Sequence, residues 1–94
     1  MSVFLVTWNL NKERSNYDEA RRQLLAHLGR YPNIHDPKLE TVWFLEAAST
    51  GHDLAEDIRT KLDSNDRLFV TQLHRGHYGA WIGKNVLEWI EAKL

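Results

Sequence analysis

The chain contains no cysteine, and its 94 residues include only two prolines, five glycines and one methionine. The lack of cysteine excludes a disulfide scaffold, a thiol nucleophile, a zinc finger built on thiolates and an iron–sulfur site. No apolar run approaches the roughly 18 residues that a membrane span requires. Internal repeats and low-complexity segments are also lacking. These absences predict a soluble, cytoplasmic protein that makes no membrane contact.

The remaining composition is typical of a packed globular protein. Hydrophobic residues make up 43% of the chain and charged residues 27%, which is unlike a disordered sequence. At this length the sequence predicts a single domain over residues 1–94. Because a chain of this size buries only about 60–65% of its unfolded surface, a homodimer is the default expectation.

Charge is unevenly distributed along the sequence. Twelve basic and thirteen acidic residues give a net charge of −1. Residues 36–66 hold three basic and eight acidic groups, whereas residues 12–30 and 67–94 each carry a balance of +2. A basic patch would form where the two ends meet in space. The overall charge alone does not point to a nucleic-acid partner.

Hydrophobic periodicity predicts strands alternating with helices. Apolar β-branched and aromatic runs predict strands over 2–8, 41–48 and 67–73 and a short edge strand over 78–82. Helical spacing predicts helices from Asn16 to Gly29, from Thr50 to Leu62, and from Asn85 onward. Residues 31–39 contain both prolines and are typical of a loop or a short irregular strand. This order predicts an α+β, ferredoxin-like sandwich, an antiparallel sheet with helices on one face, and the alternative is a small flavodoxin-like sheet.

Several segments carry a resemblance to a known family in their order and character. They are Val3–Leu10, Tyr17–Leu28, Thr41–Glu46, His52–Leu62 and Asp66–Leu73. Together they resemble the small CRISPR-associated endoribonucleases of spacer adaptation and their relatives, the virulence-associated protein D (VapD) toxins. The resemblance implies a ferredoxin-like homodimer with facing sheets, a C-terminal segment that crosses to the partner, and RNA or DNA as the binding partner.

The resemblance also implies where catalysis would occur. Enzymes of this type carry an aspartate at the end of the first strand, and two of these, one per protomer, hold a divalent metal near the scissile phosphate. Asn9 occupies that position here, so it is the candidate catalytic residue. An amide oxygen is a poorer Mg²⁺ ligand than a carboxylate. We therefore expect Mg²⁺-dependent endoribonuclease activity to be weak or lost, with no cofactor if it is lost. Asn9 and Asn11 are also typical turn residues.

Basic side chains beside the predicted strand ends are candidates for phosphate binding. Lys12, Arg14 and Arg75 would hold phosphates without reading bases, and His77 belongs to the same candidate surface. The alternative is an ordinary solvated surface. His74 and His77 have a spacing that could bind a metal or donate protons, but no third ligand lies nearby in the sequence.

Aromatic residues in the last third of the chain form the predicted dimer interface, namely Tyr78, Trp81 and Trp89. Trp8 and Trp43 are predicted to lie in the core. Base stacking would need exposed aromatic residues beside basic groups, and in the sequence only residues 75–81 combine the two.

Three functions remain open at this point. The first is a metal-dependent endoribonuclease of the CRISPR-adaptation or VapD type with a degenerate site. The second is a non-catalytic dimeric scaffold that binds nucleic acid or a protein partner. The third is a small-ligand regulatory domain of the same general fold. No Ser/His/Asp triad, phosphate-binding glycine loop, dinucleotide fingerprint or HExxH motif supports another enzyme class.

Overall fold

The computed structural model describes residues 1–13 and 15–94. Its described part forms one four-stranded sheet with three helices. The strands are β1 (Ser2–Asn9), β2 (Asn33–Ile34), β3 (Val42–Ala47) and β4 (Arg67–Gln72), and the helices are α1 (Tyr17–Leu28), α2 (Gly51–Arg59) and α3 (Lys84–Lys93). Arg14, one of the residues predicted to bind phosphate, lies outside the described residues.

The sheet is antiparallel throughout, with the strand order β2-β3-β1-β4. The apolar run of β1 places it inside the sheet, where Val6 lies opposite Trp43 of β3 on one side and Val70 of β4 on the other. This topology confirms the predicted α+β class and is consistent with a ferredoxin-like sandwich. Strand β1 also pairs antiparallel with β4, as expected for the first and last strands of a ferredoxin-like sheet.

The two faces of the sheet are covered differently. Successive residues of β1 point to opposite faces, so Phe4 and Val6 pack in the main core with α1 and α2, while Val3 packs with Val86 and Ile90 of α3. The predicted one-sided arrangement therefore describes α1 and α2, and α3 lies across the opposite face. The wide apolar surface of α3 explains this position, because the helix buries one side against the sheet and a second against the segment before it.

Residues 78–82 do not form the predicted edge strand. They run as an irregular segment whose Tyr78 and Ile82 side chains pack beside α3 against the small core around Val3 and Phe44. Burial of these side chains on the sheet face, rather than hydrogen bonding along an edge, determines their course. Of the described segments, only β1 pairs with β4, so the other side of β4 has no neighbouring strand.

The start of α2 agrees with the sequence prediction, whereas the end of α1 and the start of α3 differ from it. The hydroxyl oxygen of Thr50 accepts a hydrogen bond from the Asp53 backbone N–H at 3.0 Å and caps α2, which confirms the predicted start of this helix at Thr50. Gly29 follows α1 with φ −64°, so the left-handed cap expected of a glycine at this position is not formed. Helix α3 begins after Gly83 rather than at Asn85. None of the helices in the described ranges has the length and hydropathy of a membrane span.

Candidate functional site

Asn9 is the last residue of β1 and is exposed. Across the sheet it lies opposite Arg67 of β4. The loop that follows is fixed by Asn11, whose backbone N–H donates to Asp66 Oδ1 at 2.8 Å and whose side-chain oxygen accepts from the Glu13 N–H at 3.1 Å. Asn11 therefore has the structural turn role, and Asn9 remains as the polar group at the strand end.

The end of β1 at Asn9 carries no preformed cluster of metal ligands among the described residues of one protomer. In the described ranges no group of three or more histidine, aspartate or glutamate side chains is placed to hold an ion. Asn9 is the cross-strand neighbour of Arg67 in the β1–β4 register, and a hard cation requires several oxygen ligands, most of them charged. Asp53 and Asp57 belong to α2, and the Asp57 carboxylate is bonded to His27 and Tyr31. No reaction step through a metal follows from this arrangement.

Two of the basic residues predicted to bind phosphate, Lys12 and Arg75, do not form one patch within a protomer. Lys12 follows the end of β1, whereas Arg75 follows the end of β4. Because β1 and β4 are antiparallel, these residues lie at opposite ends of the sheet. The guanidinium Nη2 of Arg75 donates to the Glu91 carbonyl oxygen at 3.2 Å. Among the described residues the Arg75 side chain thus has a neutral backbone group as its one partner, which leaves the positive charge available.

The turn after β4 brings the two candidate histidines together. The His77 N–H donates to the His74 carbonyl at 3.0 Å, and Gly76 has a φ of +80°, which a side chain would strain. The His74 and His77 rings lie edge to face with centroids 6.3 Å apart. Both side chains are exposed, and no third metal ligand accompanies them among the described residues.

A cleft of about 500 Å³ lies where β1 ends and β3 begins, beside the first half of α1. We call it the Trp43 cleft. Its lining includes Asn9, Lys12, Tyr17, Arg21, His35, Asp36, Glu40 and Trp43. Folding thus joins the polar end of β1, one side of α1 and the loop after β2, which are distant in the sequence.

Aromatic rings form one wall of the Trp43 cleft. The His35 imidazole is stacked on the Trp43 indole, with centroids 4.6 Å apart and planes 4° from parallel. The buried Trp8 indole contacts Trp43 edge to face at 6.5 Å. Trp8 is a core residue as predicted, whereas Trp43 is half-buried and borders the cleft. His35 itself is exposed, so the stacked pair presents a planar polar ring.

Asp36 fixes the loop that carries His35. Its Oδ1 accepts from the Lys38 N–H at 2.9 Å, and its Oδ2 accepts from the Gly83 N–H at 2.7 Å. These two backbone hydrogen bonds, the first of which is the larger cause, lower the pKa of Asp36. The carboxylate is therefore ionised at neutral pH and holds this loop to the start of α3.

The opposite face of the sheet carries a second, apolar depression of about 350 Å³. We call it the open-face depression, and its lining includes Leu5, Val42, Phe44, Leu73, Tyr78 and Ile82. Trp81 stands at its border with its surface 100% exposed, and Phe69 of β4 is 64% exposed. Large aromatic side chains are rarely left so open on a monomer.

The other two residues predicted for the interface are less open. Tyr78 and Trp89 are both half-buried and pack against the small core around Val3 and Phe44. The Lys93 ammonium lies 4.7 Å from the centroid of the Trp89 ring, a cation–π contact. Of the three predicted residues, Trp81 is thus the one whose side chain is wholly available to a partner.

Sequence reasoning missed two groupings that only folding assembles. The first is the Trp43 cleft, because its aromatic and basic residues are spread over residues 9–43. The second joins α1 to α2 through His27, Asp57 and Tyr31. One signal for the second grouping was present in the sequence, since His27 interrupts the apolar stripe of α1 beside Leu24 and Leu28.

No protein-family model matches this chain.

Proposed function

We propose that this chain is the protomer of a non-catalytic homodimer that binds nucleic acid as a scaffold. The observation that carries the proposal is the position of the exposed Trp81 beside the open-face depression. A two-fold interface uses the same patch of both subunits. A projecting indole next to an apolar depression is complementary to itself in that arrangement, because each copy's Trp81 enters the other copy's depression.

The second copy is the occupant favoured by charge and chemistry. A net charge of −1 leaves little repulsion between two chains. The depression is lined mainly by aliphatic and aromatic side chains, and Phe69 extends the apolar surface along β4. Buried aromatic anchors of this kind dominate the energy of protein interfaces.

Nucleic acid is the proposed partner of the dimer because of the exposed cations at both ends of the sheet. Neither Lys12 nor Arg75 has a carboxylate partner among the described residues. A dimer would present two of each, separated by the length of the β1–β4 pair, and would contact phosphates without reading bases. The resemblance to CRISPR-adaptation and VapD-type proteins supports the same class of partner.

Cleavage is not part of the proposal. Asn9 replaces the metal-binding carboxylate that the resemblance implies, and Arg67 lies opposite it. A neutral amide supplies neither the charge that holds Mg²⁺ nor a general base of useful pKa. The chain would therefore hold a nucleic acid without hydrolysing it at this strand end.

The test is incubation of the purified protein with labelled single- and double-stranded RNA and DNA, with Mg²⁺, Mn²⁺ or a chelator. We expect salt-sensitive binding and intact nucleic acid in all three conditions. Each lost phosphate contact should flatten the salt dependence by about 0.7–0.9 log units per log unit of salt, so Lys12→Ala and Arg75→Ala should each have this effect. Arg59→Ala is the matched control, because Arg59 is already paired with Glu56 at 2.9 Å. Metal-dependent cleavage by the natural chain, or no binding at low salt, would contradict the proposal.

A further inference from the structure

We infer that the Trp43 cleft binds a nucleoside monophosphate unit, with the base stacked on His35 and the phosphate held by Lys12 and Arg21. The unit comes either from a free nucleotide or from an unpaired residue of a strand. For the strand source the inference rests on the nucleic-acid part of the proposed function. For the free nucleotide it stands without it, and neither source requires two copies of the chain.

The stacked His35–Trp43 pair supplies the site for the base. Any nucleobase can stack on an aromatic side chain, because every base has a π-face. His35 is exposed, and one face of its imidazole is stacked on the Trp43 indole at a centroid distance of 4.6 Å. A base stacked on it would form the third layer of an existing stack.

The two cations of the cleft supply the site for the phosphate. Lys12 and Arg21 border the cleft, and neither makes an ion pair with the other described residues. Arg21 differs in this respect from its neighbour Arg22, whose guanidinium is paired with Glu19. A guanidinium and an ammonium beside an aromatic wall form the combination that recognises phosphate and base together.

The acidic residues of the cleft do not oppose this assignment. The Asp36 carboxylate is committed to the Lys38 and Gly83 backbone N–H groups. Glu40 is exposed and supplies an acceptor for an exocyclic amino group, while the Asn9 amide supplies both a donor and an acceptor. These polar groups would select a nucleobase over a purely apolar ring.

The site is also largely formed before a ligand arrives. Asp36 ties the His35 loop to α3, and Trp43 is fixed in β3 and contacts the buried Trp8. The volume of about 500 Å³ lies within the range of about 300–1,000 Å³ typical of small-molecule sites. Ordering this wall of the cleft therefore costs little conformational entropy when a ligand binds.

The experiment follows backbone and indole N–H resonances during titrations with adenosine monophosphate, cytidine monophosphate, a short single-stranded oligonucleotide, a blunt duplex and inorganic phosphate. We expect shifts at Asn9, Lys12, His35 and the Trp43 indole with the nucleotides or the single strand. The stronger binder identifies the source of the unit. His35→Ala and Arg21→Ala should each weaken that binding about tenfold or more. His35→Phe should retain it, and Arg22→Ala is the matched control that should leave it unchanged.

Three results would overturn the inference. The first is the absence of shifts at the cleft with all nucleotides and the single strand. The second is binding that His35→Ala and Arg21→Ala leave unaltered, and the third is a set of shifts that inorganic phosphate reproduces in full. Repeating the titration with Trp81→Ala separates this inference from the proposed dimer. Loss of self-association with cleft binding intact supports both the Trp81 interface and a cleft that needs only one copy, whereas failure of cleft binding in a stable dimer overturns the cleft and leaves the dimer.

Discussion

The Nε2 atom of His27 lies 2.8 Å from Oδ2 of Asp57, which joins the buried end of α1 to α2. The Tyr31 hydroxyl donates to the same oxygen at 2.5 Å, and Arg30 Nη1 lies 3.2 Å from His27 Nδ1. Because a guanidinium can only donate, Nδ1 accepts and Nε2 carries the proton that is given to Asp57. One carboxylate thus fixes a histidine tautomer and a tyrosine at the junction of the two helices.

The first prediction concerns the Tyr31 hydroxyl. Tyr31→Phe should lower the free energy of unfolding by about 0.5–1.5 kcal/mol, the usual net contribution of one hydrogen bond. Chemical denaturation at pH 7 measures the loss. The control is Tyr17→Phe, because the Tyr17 hydroxyl has no hydrogen-bond partner among the described residues. Equal losses in the two variants would show that the bond to Asp57 contributes nothing.

The second prediction is a dependence of stability on acid pH. The hydrogen bond from Tyr31, and after it that from His27, lowers the pKa of Asp57 below its ordinary value. A group with a lowered folded pKa stabilises the fold above its unfolded pKa, and this stability is lost as the pH falls through the folded pKa. We expect a loss of stability below about pH 4, the ordinary range of an aspartate. Denaturation series from about pH 2 to about pH 6 should show a smaller loss for Asp57→Asn. An identical acid profile in the variant would contradict this assignment.

The third prediction applies the same reasoning at alkaline pH. Burial, with the bond to Asp57 as the next cause, raises the pKa of Tyr31 from 10.0 to about 12. A raised folded pKa gives stability that is complete below the unfolded pKa and is lost as the pH rises through the folded pKa. Ultraviolet titration of phenolate should therefore show a late ionisation at about pH 12 that Tyr31→Phe removes. A titration that lacks this late phase, or that keeps it in Tyr31→Phe, would contradict the assignment.

Much of the fold could be predicted from the sequence because local signals and burial agree there. The apolar run over residues 2–8 predicted β1, and Thr50 predicted the start of α2. The segment over 78–82 was predicted wrongly, because its aromatic and apolar residues suit an edge strand and a loop packed on the sheet face equally well. The partner of its side chains, the face of α3, is set by tertiary packing alone.

The candidate site was less predictable for the same reason. Asn9 and Lys12 were identified from their place after the first strand, but their neighbours in the Trp43 cleft come from α1 and from the loop after β2. Trp43 was predicted to lie in the core, and its stacking with His35 depends on the position of that loop. Periodicity carries no information on such a contact.

The fourth prediction tests the missing carboxylate. Asn9→Asp adds one negative oxygen ligand at the end of β1, so Mg²⁺ or Mn²⁺ should stabilise this variant against heat more than the natural chain. Asn85→Asp is the control, since it adds the same charge in the first turn of α3. Equal stabilisation of all three proteins would show that the strand end gains no metal affinity from the carboxylate.

Light scattering at micromolar concentration tests the central claim, self-association through Trp81, most directly. We predict a mass of twice the 11.0 kDa chain for the natural protein and for Trp81→Phe, which keeps an aromatic anchor. Trp81→Ala should have the mass of one chain and remain folded, because its side chain is wholly exposed in the protomer. A natural protein that is monomeric at these concentrations, or a Trp81→Ala variant that is still dimeric, would contradict the account.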